Sequence, residues 1–180
     1  LDEAARAVAP RVIEWRRDLH QNPELGNREF RTSQKVAAHL KAIGLEVRTG
    51  VAHTGVVAVL RGGRPGPVIA LRADMDALPV SERVDVPFRS KVTTDYRGEK
   101  VGVMHACGHD GHTAILMGAA EVLAARRKDL PGTILFVFQP AEEHGRGAKA
   151  MLDDGLLERF PMEEIYSLHN MPGIPFGSFA

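Results

Sequence analysis

The hydrophobic positions change period several times along the chain. Over residues 1–20 the apolar side chains Val8, Val12, Ile13, Trp15 and Leu19 form an imperfect helical stripe. Acids lie early in it and Arg16 and Arg17 late, the order the helix dipole favours. Asn22-Pro23 ends that helix. A second helix is predicted over 32–43, with Val36, Leu40 and Ile43 on one face and Gly44 as its C-terminal stop. Residues 45–48 and 55–60 read as strands, and 61–67, rich in Gly and Pro, as a turn. The run 68–73 reads as a buried strand that leads directly into Asp74-Met75-Asp76. Residues 81–103 are polar and weakly patterned, a loop with at most short edge pairings. A helix is predicted over 113–125, burying Ile115, Leu116, Ala119, Val122 and Leu123. The unbroken apolar run 133–138 has the character of a central strand. A short helix over 148–152 and a strand over 164–168 complete the pattern. Strands alternate with helices, so the expected fold is α/β, a mixed and largely parallel sheet flanked by helices.

Composition narrows the partners. The 180 residues carry 23 Lys+Arg and 23 Asp+Glu, a formal net charge of zero, so neither nucleic acid nor an anionic membrane is expected as a partner. No apolar run is long enough to span a bilayer. The single cysteine, Cys107, has no internal disulfide partner and is a free thiol or a ligand. A cytoplasmic location is the expectation, with a periplasmic or secreted one left open if a segment was removed before Leu1.

The chemistry collects first in residues 104–112, where three histidines, an aspartate and Cys107 fall within nine positions. Thiolate and imidazole at close spacing are what transition metals bind. In an extended segment Cys107 and His109 would point to one side. Gly108 and Gly111 allow a tight turn into the following helix, whose free N–H groups favour negative charge.

Three predicted strands also end in metal-capable residues: Asp74 and Asp76, then Glu142 and Glu143, then His169. Ligands of open α/β sheets bind outside the carboxyl ends of the strands, so these groups converge on one edge. Adjacent carboxylates in extended chain point apart. One of Glu142 and Glu143 can therefore bind metal while the other addresses a water or a substrate.

Four segments carry a family resemblance: ADMDALP (73–79), HACGHDGHTA (105–114), FQPAEEHGRGAKAM (138–151) and LHNMPG (168–173). Together they resemble the dinuclear metal amidohydrolases, the aminoacylases, hippurate hydrolases and indole-acetyl-amino-acid hydrolases of the carboxypeptidase and aminoacylase superfamily of metallopeptidases. The resemblance implies a three-layer catalytic domain holding two divalent ions, manganese or zinc, with nickel or cobalt able to substitute. It implies that Cys107 bridges the ions, that His109 and His169 hold one and Glu143 the other, and that Glu142 is the general base and later acid. Asp76 matches a supporting carboxylate, less firmly because Asp74 stands where other branches have a metal-binding His. His105 and His112 are motif members without a ligand role. The implied substrate is an N-acyl amino acid or a related amide or peptide.

The family also implies a lid and dimerisation domain, a further metal-binding His, and a homodimer or higher assembly. Residues 1–180 match only the N-terminal part of the catalytic domain. The expectation is that this chain alone holds nearer one ion than two and is a weak amidase. Two rivals stand beside it. One is a cysteine hydrolase with Cys107 as nucleophile and His109 or His112 as base. The other is a non-catalytic metal-binding module.

Overall fold

The computed structural model describes residues 1–178. Helices α1 (Asp2–Gln21) and α2 (Phe30–Ala42) precede strands β1 (Glu46–Val51), β2 (Gly55–Arg61) and β3 (Arg64–Asp74). A hairpin of β4 (Thr93–Tyr96) and β5 (Glu99–Gly102) follows. Then come α3 (His109–Ala124), β6 (Pro131–Gln139), α4 (Gly147–Asp153), α5 (Leu156–Arg159) and β7 (Glu164–Ser167). Five strands form one sheet in the order β1-β2-β6-β3-β7.

Alternation along the central strands explains the layers. Val56, Ala58 and Leu60 of β2 and Ile134, Phe136 and Phe138 of β6 pack on one face with Val36 and Leu40 of α2 and Leu116 and Met117 of α3. Val57, Val59, Leu135 and Val137 fill the other face, against Met151 and Leu156 of α4 and α5. Both faces are covered, so the strands read as continuous apolar runs rather than alternating ones. Each large side chain buried this way contributes roughly 1.5–3 kcal/mol. Helix α1 lies on α3, and Gly118 permits the approach: a Cβ there would stand 2.6 Å from Val12 Cγ2.

The sheet is mixed, as expected. Its parallel share is half rather than the larger part: β1–β2 and β2–β6 are antiparallel, β6–β3 and β3–β7 parallel. Strands β2 and β3 follow each other in sequence but are separated in the sheet by β6. Gly62-Gly63 crosses the start of β6, where Gly62 N–H donates to Gly132 O at 2.8 Å and no side chain would fit. Arg64–Pro67, expected in that turn, already belongs to β3.

Two further expectations change. The polar stretch 81–103 contains the β4–β5 hairpin, closed by Arg97 and Gly98 with φ of 52° and 85°, the left-handed pair a two-residue hairpin turn requires. Ile115, expected on the buried face of α3, is 47% exposed. Strand β7 lies at the sheet edge with exposed side chains, Ile165 and Tyr166 among them. No helix among the described residues is long and apolar enough to cross a membrane.

Candidate metal centre

Register brings the site together. Asp74 pairs with Gln139 across β3–β6, and Arg72 with Ser167 across β3–β7. The three parallel strands therefore end at one level, and Asp74–Asp76, Glu142–Glu143 and His169 leave from the same rim. Helix α3 closes it from the side. It starts at His109, four residues before the apolar pattern begins, because its first turn buries polar groups: His109, Asp110 and His112.

Cys107 and His109 are consequently not alternate residues of an extended segment. Gly108, with φ 86°, turns the chain between them. They still converge. Donor atoms of Cys107, His109 and Glu143 lie within 4.8 Å of one another, and so do those of Asp74, His109, His112 and His169.

His109 is fully buried. Its Nδ1–H donates to the Asp76 carbonyl oxygen at 2.8 Å, with the Asp76 carboxylate at 3.3 Å. That bond leaves Nε2 facing Asp74 Oδ1 at 3.7 Å, Glu143 Oε1 at 3.8 Å and Glu142 Oε2 at 3.9 Å. Burial alone would lower the pKa of this imidazole, but Asp76, Asp74 and Glu143 outweigh it and raise it. Of these, Asp74 and Glu143 face Nε2 and draw a proton or a cation to it. Both His109 Nε2 and Glu143 Oε1 are buried and lack a hydrogen-bond partner among the described residues. Unpartnered buried lone-pair atoms of this kind call for a proton or a cation as partner.

Burial, then Glu143, Glu142 and Asp74, push the Cys107 thiol up to about 11. Activated cysteines sit in electropositive surroundings, and this one sits among carboxylates, which opposes the cysteine-hydrolase alternative. A divalent cation at this point would reverse the sign of the local field and favour the thiolate. Thiol, imidazole and carboxylate donors, two of them unsatisfied, fit a divalent metal.

Asp76 organises the acid pair. One carboxylate oxygen accepts the Glu142 backbone N–H and the other the Glu143 N–H, each at 3.0 Å. Burial works against the charge, but His109 and the two amides keep its pKa below the ordinary value. Just before the pair, Ala141 adopts φ 49°, and its N–H donates to buried Glu29 at 2.8 Å. The Thr54 hydroxyl donates to the other Glu29 oxygen at 2.5 Å. Downstream of this bend the two glutamates separate: the Glu143 side chain is 17% exposed and that of Glu142 41%. Nothing in the hydrophobic pattern singles out Glu29.

His169 sits at the exposed end of the rim, its Nε2 3.5 Å from Cys107 Sγ and its Nδ1–H donating to the Asn170 carbonyl at 2.7 Å. Asp74, with no exposed surface, receives Arg72 Nη1 at 2.8 Å and His112 Nδ1–H at 2.7 Å. Burial pushes the Asp74 carboxyl up, but His112, His109 and Arg72 overcome it and hold it at about 2. His105 belongs to neither donor group. It is buried with both ring nitrogens unpartnered among the described residues, and burial holds it neutral with a pKa of about 4.

Behind the site, His20 of α1 bridges Asp110 Oδ2 and Glu82 Oε1, both at 2.9 Å, and Arg16 Nε reaches Asp110 at 3.0 Å. This buried bridge ties α1 to the first turn of α3. His20 reads in the sequence only as the polar end of an amphipathic helix.

Comparison with known proteins shows the family. The family model described as peptidase family M20/M25/M40 matches residues 70–180. Hippurate hydrolase of Campylobacter jejuni is 48% identical over 163 residues, covering 91% of this chain and 39% of that protein. IAA-amino acid hydrolase ILR1-like 2 of Arabidopsis thaliana is 45% identical over 178 residues, 97% of this chain and 38% of its own length. Among solved structures, the Bacillus subtilis YXEP protein, described as a dinuclear metal binding peptidase from the M20 family, superposes with a TM-score of 0.84 at 44% identity. That match covers 94% of this chain and 45% of the other. The chain thus spans less than half the length of these relatives. Sequence and fold together place it in the M20/M25/M40 peptidase family.

Proposed function

We propose that this chain carries the metal-holding part of a hydrolase that cleaves amide bonds of N-acyl amino acids or small peptides. The observation that carries the reading is the division between neighbouring glutamates. Glu143 turns an unpartnered oxygen toward His109 and Cys107, while Glu142 stays open to solvent beside them. Cys107, His109, His169 and Glu143 are the residues that would hold the divalent ions, with Cys107 placed among the other donors. Zinc and manganese suit this set, and nickel or cobalt substitutes. Bound there, a divalent ion polarises an amide carbonyl and acidifies a water.

Glu142 is the general base. It takes a proton from the attacking water as the water oxygen bonds to the amide carbon. It then returns the proton to the nitrogen as the C–N bond breaks, releasing acid and amine. Asp76 holds both glutamate backbones for this step. The substrate class follows the relatives' names, in which the amino acid is acylated in hippurate and in IAA conjugates.

The test compares Glu142→Gln with Glu143→Gln made in the full-length enzyme, using N-acetyl and N-benzoyl amino acids with added zinc or manganese. Glu142→Gln retains metal and loses turnover by about 10²–10⁴-fold, the usual worth of general acid–base catalysis. Glu143→Gln loses metal as well. Equal metal loss in both variants, or an active Glu142→Gln, refutes the assignment.

A further inference from the structure

His112 is buried in the first turn of α3, four residues past Gly108, and the proposed reaction gives it no task. Its surroundings suggest one. Asp74 fixes the ring from below: with Nδ1–H donating to Asp74 Oδ1 at 2.7 Å, Nε2 is left as an acceptor. Arg72, at 2.8 Å from the other Asp74 oxygen, holds that carboxylate in place. Above the ring, the Asn170 backbone N–H donates to His112 Nε2 at 3.1 Å. The side-chain atom 2.8 Å from the same nitrogen is Asn170 Oδ1, and turning the amide end for end would put its NH2 there as a donor instead. That side chain also fills the space over Gly108, where any Cβ would collide with it. The Asn170 carbonyl in turn accepts His169 Nδ1–H at 2.7 Å, which aims His169 Nε2 at Cys107.

We infer that Asp74, His112 and Asn170 form a brace that sets the position of His169, and that His112 is a positioning residue of the metal centre. The inference rests on the reading of His169 as a ligand. The segment 169–173 has exposed side chains and follows an exposed edge strand, so packing does little to hold it. Apart from the Cys107–His169 contact, the side-chain hydrogen bonds joining 169–173 to the rest of the described residues all end on His112. His112 also lies within the donor group of Asp74, His109 and His169. As a ligand it would have to give up a bond to Asp74 or to Asn170. As a brace it keeps both. Partners that orient a ligand in this way typically carry about 10–100-fold in metal affinity.

The experiment measures zinc affinity by chelator competition in the purified protein and in five variants. His169→Ala sets the benchmark for losing a ligand. His112→Ala is expected to bind zinc about 10–100-fold more weakly. His112→Gln keeps an acceptor toward Asn170 and recovers part of that loss. Asp74→Asn is isosteric, but its NH2 faces Nδ1 and moves the imidazole proton to Nε2, the nitrogen that must accept. Imidazole ¹⁵N shifts should report that exchange of tautomer, with weakened zinc binding. Asn170→Gly lies on the surface, leaves the main chain intact and removes only the side-chain amide, so it tests the brace even if His112→Ala does not fold. Wild-type affinity in both Asp74→Asn and Asn170→Gly, with zinc lost in His169→Ala, overturns the brace and leaves the ligand standing. Wild-type affinity in His169→Ala overturns the ligand reading itself.

Discussion

Replacing Asp76 by asparagine exchanges one carboxylate oxygen for an NH2 at a position where two acceptors are needed. The carboxylate receives the Glu142 and Glu143 amides, one on each oxygen at 3.0 Å, inside a site with almost no solvent access. Asparagine can accept one of them. Its NH2 then faces the other N–H, two donors with no acceptor between them. A hydrogen bond to a charged group contributes about 1.5–3 kcal/mol, and a buried donor left unpaired costs about 1–3 kcal/mol. These overlap, so the expected loss is roughly 2–4 kcal/mol. For a domain of this size each kcal/mol moves the melting temperature by about 2–4 °C, so Asp76→Asn should melt roughly 4–16 °C lower at neutral pH. The Asp76 pKa is depressed in the folded protein. Its stabilisation is therefore present above the unfolded carboxylate value and lost as pH falls through the folded one, so the two proteins should converge in acid. Calorimetry at neutral and acid pH, with zinc competition alongside, measures both effects. If the variant melts with the wild type at neutral pH, or the gap persists unchanged in acid, Asp76 is not holding the glutamates through its charge.

Other consequences can be checked independently. On the proposed reading, in which Cys107 would serve both ions, Cys107→Ala should lose more metal than any other single ligand change; unchanged metal by elemental analysis refutes it. Zinc at about 100 times its dissociation constant should stabilise the fold by about 2.7 kcal/mol and a chelator should remove that gain, whereas urea midpoints indifferent to zinc would argue against a preformed site. The Asp110 bond, opposed by burial and aided by Glu82, raises the His20 pKa above 6.5, so its stabilisation is complete below that value and lost as pH rises through the folded pKa. The stability gap between wild type and His20→Gln should thus shrink with rising pH, and a gap that grows instead refutes the bridge as drawn. Gly118→Ala gains about 1 kcal/mol of helix propensity and spends it against Val12, while Gly118→Leu adds an overpacking cost of about 1–3 kcal/mol with no further gain; urea unfolding should find the first near neutral and the second destabilised.

The sequence announced what two-sided burial writes into a chain. The runs at 55–60 and 133–138 are central strands because both their faces meet helices, and such strands need no alternation to be read. Convergence of Cys107, His109 and Glu143 was also legible, because thiol, imidazole and carboxylate at neighbouring strand ends have little reason to gather unless an ion joins them. The first turn of α3 was not legible. His109, Asp110 and His112 are polar, and an apolar stripe cannot signal a turn buried among hydrogen bonds. The hairpin at 93–102 escaped for a related reason: it is short and polar, and its turn places Arg97, not a glycine or asparagine, at positive φ. Glu29 and His20 are single polar residues whose partners lie 112 and 90 positions away. Local sequence carries no trace of such pairings.

The parallel pairing of β6, β3 and β7 determines which kinds of genetic change the site tolerates. Its groups are set at one height by the hydrogen-bond ladder, with Asp74 level with Gln139 and Ser167 level with Arg72. Substitutions on the helices leave that ladder untouched. A one-residue deletion within 68–73 would draw Asp74 and Asp76 back by about 3.3 Å and turn their side chains to the opposite face. Asp76 would leave the glutamate amides and Asp74 would leave His112, although every donor type was still encoded. Length changes should therefore be tolerated at the Arg97-Gly98 turn and excluded from β3, because the ladder sets the heights of the groups that would hold the metal.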